Sequence, residues 1–169
     1  MSDIEEKPNI SVITLLRGEE EFIPLIKDNF NKFEYPQDKL ELIIIDDSPK
    51  NLIEHFIDDD RYLYLHLSDK EIIEFIEKIK FKNDNEDIMA KYLSKTKKLP
   101  NGFKRDYGVG MATHKLYLHM DYDTIYNPKT ITRKLKFMKA NKVECVYNSS
   151  LLCYDLYGKE MYKTDSPYN

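Results

Sequence analysis

The chain has 169 residues, 41% hydrophobic and 33% charged, with a formal net charge of −4. This is a globular composition, long enough for one domain with a proper core. The mildly acidic balance speaks against nonspecific binding to nucleic acid or an anionic membrane, because both need clustered positive charge.

No apolar run approaches the roughly 20 residues that span a bilayer. The polar, acidic start MSDIEEKPN does not read as a secretory signal, so a cytoplasmic location is expected. The two cysteines, Cys145 and Cys153, are too few for a disulfide framework or a zinc site and read as reduced core thiols.

In chain order, Asn9–Leu16 is apolar and rich in β-branched residues, which predicts a buried strand. Arg17-Gly18 breaks it. Glu19–Phe33 then carries Phe22, Ile26, Phe30 and Phe33 at helical spacing, with three glutamates in the first turn and Pro24 near the start. LELIIIDDSP (40–49) is a second strand ending in Asp46-Asp47, and Ser48-Pro49 suits an N-cap with proline at the first helical position. RYLYLHL (61–67) is a third strand, and Ser68–Glu71 fits a capping box for a helix carrying Ile72, Ile76 and Ile79.

Residues 80–101 are polar and lysine-rich, a surface excursion. GFKRDYGVGMATHK predicts a short helix despite Gly108 and Gly110, and Leu116–Met120 a fourth strand. Asn127-Pro128 starts another helix, with Ile131, Leu135 and Met138 on one face. Residues 143–158 read as two short strands or a hairpin.

The order β-α-β-α-β-α-α-β-α-β favours an α/β fold with a mostly parallel, Rossmann-like sheet and helices on both faces. Residues 1–8 form a polar tail, 9–158 a single domain with a variable excursion at 69–101, and 159–169 a C-terminal tail.

Ligands of open α/β sheets bind outside the carboxyl ends of the strands. Thr14, Asp46, Asp47, Asp121 and Asp123 all belong at that edge, so a parallel sheet converges four carboxylates on one rim. Clustered carboxylates repel unless water, donors or a divalent cation neutralise them. Mg²⁺ or Mn²⁺ prefers oxygen ligands and commonly takes one or two carboxylates with phosphate oxygens. Lys104 and Arg105 add positive charge for such phosphates.

Each feature also has a plainer reading. A D-x-D after a strand is ordinary turn chemistry, DDS before proline is a common helix cap, and a lysine-arginine pair is a common solvated helix face. Tyr62, Tyr64 and Tyr117 read as packing, and His66, His114 and His119 as structural or surface residues. The joint order and spacing of the acidic and basic blocks favours a diphosphate site.

ISVITLL, LELIIIDDSP and KRDYGVGMATHKLYLHMDYD resemble the successive N-terminal blocks of family 2 glycosyltransferases with the GT-A fold. The resemblance runs from about Asn9 to Leu156, with 69–100 matching poorly. It implies a nucleotide-sugar donor, commonly UDP-linked, bound through Mn²⁺ or Mg²⁺, with a sugar, lipid or protein acceptor. By motif, Thr14 would meet the nucleotide, Asp46 and Asp47 the base and ribose, and Lys104 and Arg105 the donor. Asp123 would ligate the metal directly, and Asp121 would touch the ribose, the sugar or a metal-bound water.

After the first strand the family's tyrosine-asparagine style loop is replaced by LLRGEEE. Asp106 stands where asparagine is common, and His114 where glycine is common. An inverting transfer needs a general base; Asp155, Glu160 and Asp165 are available downstream, and none matches a motif. The rivals are a nucleotide-sugar-binding module without turnover and a phosphatase with an aspartyl nucleophile. LHMDYDTI resembles the phosphatase motif, but there the pair normally ends the first strand of the core.

Overall fold

The computed structural model of the protein describes residues 7–68, 70, 74, 99–148, 150, 152–155 and 157–164. Ile72, Ile76 and Ile79 of the expected helix, Asp69 and Glu71 of the capping box before it, most of the excursion after it, and Asp165 lie outside the described residues.

The two runs densest in β-branched and leucine residues become neighbouring parallel strands, β1 (Ile10–Leu16) and β2 (Leu40–Asp46). β3 (Tyr62–His66) joins the far side of β2, and β4 (Leu116–His119) the far side of β1. The sheet order is β3-β2-β1-β4 with every pairing parallel. Val12, Ile13, Leu42, Ile43, Ile44 and Ile45 are all buried, so both faces of the central strands are covered. That is why these strands lack a polar alternation.

α1 (Ile23–Lys32) follows a short 3-10 turn at Glu20–Phe22. Pro24 sits in its first turn, where a missing N–H leaves no helical bond unmade. Ile26 and Phe30 are fully buried, and the Phe30 ring meets Tyr62 edge-on at 5.7 Å. α2 (Asn101–Met111) covers Ile13, Ile43 and Ile45 with Phe103, Tyr107 and Val109. Tyr62 pairs with Leu42, one residue out of phase with Ile43, so α1 and α2 lie on opposite faces of the sheet. Gly108 permits the close approach of α2: a Cβ there would stand 2.7 Å from Ile13 Cγ2.

The helix expected after Ser48-Pro49 does not form. The segment between β2 and β3 is irregular, with one 3-10 turn at Ile53–His55. Ser48 does not cap: its hydroxyl bonds Asp46 Oδ2 at 2.8 Å and the Lys50 carbonyl at 2.6 Å. Asn51 Oδ1 accepts from Ile53 N instead, and Tyr64 Oη from Leu52 N. Leu52 and Phe56 anchor the segment in the core.

The chain divides into two compact units, Met1–Ile131 and Thr132–Asn169. The division falls inside α3 (Thr130–Asn141). In the second unit, β5 (Leu152–Asp155) and β6 (Glu160–Lys163) form an antiparallel hairpin. The sequence had placed its second strand before residue 159, whereas β6 occupies the stretch read as a tail. Residues 143–147 form no strand; Val143 N instead bonds the Met138 carbonyl at the end of α3. Cys145 is exposed and Cys153 half-buried, both free, which corrects the reading of two core thiols.

Candidate functional site

The strand order creates a switch point. The chain moves from β1 outward to β2 and β3, then returns to place β4 on the other side of β1. The crevice between the carboxyl ends of β1 and β4 is where such sheets take ligands. Leu16 pairs with Asp46 and Ile13 with His119, so the tips of β1, β2 and β4 share one edge. Asp121 and Asp123 flank the crevice. Asp46 and Asp47 lie on the far side of β1, two strands or about 10 Å along the sheet from β4.

The acidic pair at the tip of β2 is buried and fully engaged. Asp46 accepts from Ser48 N at 2.9 Å, Ser48 Oγ at 2.8 Å and Tyr64 Oη at 2.6 Å. Burial, reinforced by the hydrogen bond to Asp46, pushes the Tyr64 hydroxyl well above its ordinary range, so it stays a donor. Asp47 accepts from Lys104 Nζ at 2.6 Å and from Leu99 N at 2.8 Å. Lys104 Nζ also donates to the Leu16 carbonyl at 3.0 Å.

Both side chains of the Lys104–Asp47 pair are inaccessible to solvent. Burial draws the Lys104 ammonium below the usual lysine range, and Asp47 opposes that shift. Lys104 therefore points into the protein, tying α2 to the ends of β1 and β2. Thr14 is also in the core: it is fully buried on β1, and among the described residues its Oγ1 has no partner.

The pair at the tip of β4 is open. Asp121 and Asp123 are exposed. Arg105 donates to Asp121 Oδ1 at 3.2 Å, with side chains 42% and 57% accessible, so both groups keep faces toward solvent. Behind this loop stands Asn29, which the sequence reading passed over. Buried on α1, it donates from Nδ2 to the Thr124 carbonyl at 2.8 Å and accepts from Tyr126 N at 2.9 Å. Tyr126 Oη in turn accepts from Asp121 N at 2.9 Å.

Tyr122 rests edge-on against Phe22, and Tyr126 against Phe33. An asparagine on a helix's apolar face is the sequence signal for such a brace. His119, next to the loop, has an imidazole that burial draws below its ordinary value, aided by the charge of Arg105.

Among the described residues no group of three or more His, Cys, Asp or Glu side chains is placed to hold a metal ion. The D-x-D offers one or two carboxylates, the number with which Mg²⁺-like ions share their shell with phosphate oxygens and water. An open depression lined by Lys7, Lys39, His114 and Lys115 lies at the amino edge of the sheet, away from all these groups.

The sequence matches no family model and no curated protein. Solved structures do match. The 1–349 portion of Staphylococcus aureus TarS in complex with UDP-GlcNAc is 16% identical, over 86% of this chain and 34% of that one, at a TM-score of 0.52. The mannosyltransferase PcManGT of Pyrobaculum calidifontis, in complex with GDP-Man and Mn²⁺, is 14% identical over 89% of this chain and 36% of that one, at 0.55.

The chain has a GT-A-like fold. It spans about a third of the length of these neighbours. The expected parallel order of the sheet stands as the sequence placed it, and Asp121 and Asp123 follow β4 in the chain. Asp46, Asp47 and Lys104 share that rim but turn inward. No helix among the described residues is long and apolar enough to cross a membrane.

Proposed function

We propose that this chain binds a nucleotide-sugar donor and is the donor-binding part of a glycosyltransferase. The observation that carries the reading is the solvent-facing D-x-D at the β1/β4 switch point of a GT-A-like sheet. Its neighbours in the structural comparison hold UDP-GlcNAc in one case and GDP-Man with Mn²⁺ in the other.

Asp123 and Asp121 would hold Mn²⁺ or Mg²⁺. Bound there, the ion supplies charge stabilisation for a departing nucleoside diphosphate. Arg105 orients Asp121 and adds a second cation beside the phosphates. Asn29 and Tyr126 brace the backbone of the loop that carries both carboxylates, an order that need not be acquired on binding. By resemblance the donor class is a UDP-sugar, with an acceptor hydroxyl attacking the anomeric carbon with inversion.

Asp46 and Asp47 enter this reading as supports. Their acceptor sites are filled by Ser48, Tyr64, Lys104 and Leu99, so they shape the edge on which the base would rest.

Calorimetric titration with UDP and GDP, with and without Mn²⁺, tests the proposal. Metal-dependent binding that Asp123→Ala abolishes is expected; UDP affinity unchanged in that variant would sink the D-x-D assignment. The second reading, a binding module without turnover, is motivated by Asp155, Glu160 and Asp165 matching no general-base motif in the sequence. Slow metal-dependent hydrolysis of a UDP-sugar by the chain would decide for an enzyme.

A further inference from the structure

Because Lys104 is consumed by Asp47, Arg105 is left as the motif-named cation for a diphosphate, and the tip of β1 offers another that no motif names. Arg17 is the first residue beyond β1, so it stands at the carboxyl tip of the strand that neighbours β4. Its backbone turns sharply there: Gly18 has φ +103°, and a Cβ at that position would stand 3.3 Å from Ser48 Cβ. Arg17 N donates to Glu19 Oε2 at 2.7 Å, which fixes the turn and leaves the side chain free of it.

The guanidinium donates through one nitrogen to Asn101 Oδ1, at the start of α2. That partner is neutral. Among the described residues no carboxylate forms an ion pair with Arg17: Asp47 is held by Lys104, Glu20 by Lys50 and Asp121 by Arg105. The charge of Arg17 acts on Lys104 in α2 and on Tyr122 between the two aspartates. Its contact with Asn101 sets the guanidinium at the start of α2, on the carboxyl edge of the sheet that also carries the D-x-D. A guanidinium carries five donors in a planar fork suited to phosphate oxygens, and most of these are unspent here.

We propose that Arg17 is a diphosphate-binding residue of this site, gripping the donor's phosphates from the β1 side of the crevice while Arg105 and the D-x-D act from the β4 side. The inference rests on the nucleotide-donor reading. It makes a distinct claim: the contact is to phosphate and is blind to the base.

The test is calorimetry on the full chain with UDP and with GDP, in Mn²⁺ at low salt. Arg17→Gln is expected to weaken both nucleotides about tenfold or more, the loss of one charge-assisted contact, with an unchanged melting temperature. Arg17→Lys should fall between, because an ammonium keeps the charge and loses the fork. Should Arg17→Gln not fold, Arg17→Lys carries the test, with a smaller loss expected for both nucleotides.

Unchanged affinity in the folded variant overturns the proposal, as does a loss confined to one nucleotide, which would make Arg17 a base reader. If the unmodified chain binds neither UDP nor GDP, the nucleotide-donor reading itself fails and takes this inference with it.

Discussion

Two strand tips carry paired aspartates, and their fates differ. At the end of β2, Asp46 and Asp47 are buried and each accepts from at least two donors. At the end of β4, Asp121 and Asp123 face solvent, and Asp121 shares one long contact with Arg105. The residue type is the same at both tips, and the supply of donors is not. A carboxylate buried beside an ammonium and a backbone N–H becomes a structural tie, because leaving it unpaired there is costly. A carboxylate at an open tip keeps its lone pairs for a ligand.

The comparison breaks most sharply at Lys104. Lys104→Met would strand Asp47 as an unpaired buried charge and should cost about 3–5 kcal/mol, read from urea unfolding. Lys104→Met combined with Asp47→Asn should recover part of that loss, since the charge is gone. A Lys104→Met protein as stable as the parent would mean that the β2 tip is no tie at all.

Gly108→Ala tests the contact that brings Lys104 to this edge. A methyl 2.7 Å from Ile13 Cγ2 should cost about 1–3 kcal/mol through overpacking, seen as a lower denaturation midpoint. At Asp46, replacement by Asn keeps one acceptor and should cost about 1–3 kcal/mol, with Tyr64 losing its charged partner.

The open tip should behave in the opposite manner. Asp123→Ala should leave stability within about 0.5 kcal/mol of the parent while removing metal-dependent nucleotide binding. Stability lost together with binding would merge the two tips into one kind.

The smallest effect concerns a carboxylate at the other edge. Burial alone would raise the Glu41 carboxyl, but hydrogen bonds from Ser11 and from Thr113 N and Oγ1 outweigh it and hold it below the usual range. A carboxyl lowered in the fold stabilises above its unfolded value and loses that contribution as pH falls through the folded one. Thermal melts between pH 5 and pH 3 should therefore drop more steeply for the parent than for Glu41→Gln.

Much of this was legible beforehand. β1 and β2 announce themselves as apolar runs because both faces are covered, and Asp121 and Asp123 follow β4 by simple chain order. The occupancy of Asp47 was hidden because its partner arrives from 57 residues away, and nothing local marks a lysine as inward-pointing. The helix expected after Ser48-Pro49 failed for a related reason. The cap signal was present, but Asp46 and the Lys50 carbonyl claimed the serine hydroxyl. Asn29 and Arg17 belong to no repeating pattern, and their roles emerge only when α1 and β1 are set against loops distant in sequence.

The central position of β1 bears on how the protein acquires its shape. Its pairing with β4 joins Ile10 to Leu116, a closure across most of the first unit. Closing that loop costs more chain entropy than either of the other pairings in the sheet, which join residues far nearer in sequence. A ligand that fits the crevice between these two strands would therefore act as a clasp on the pairing that closes the longest loop in the sheet.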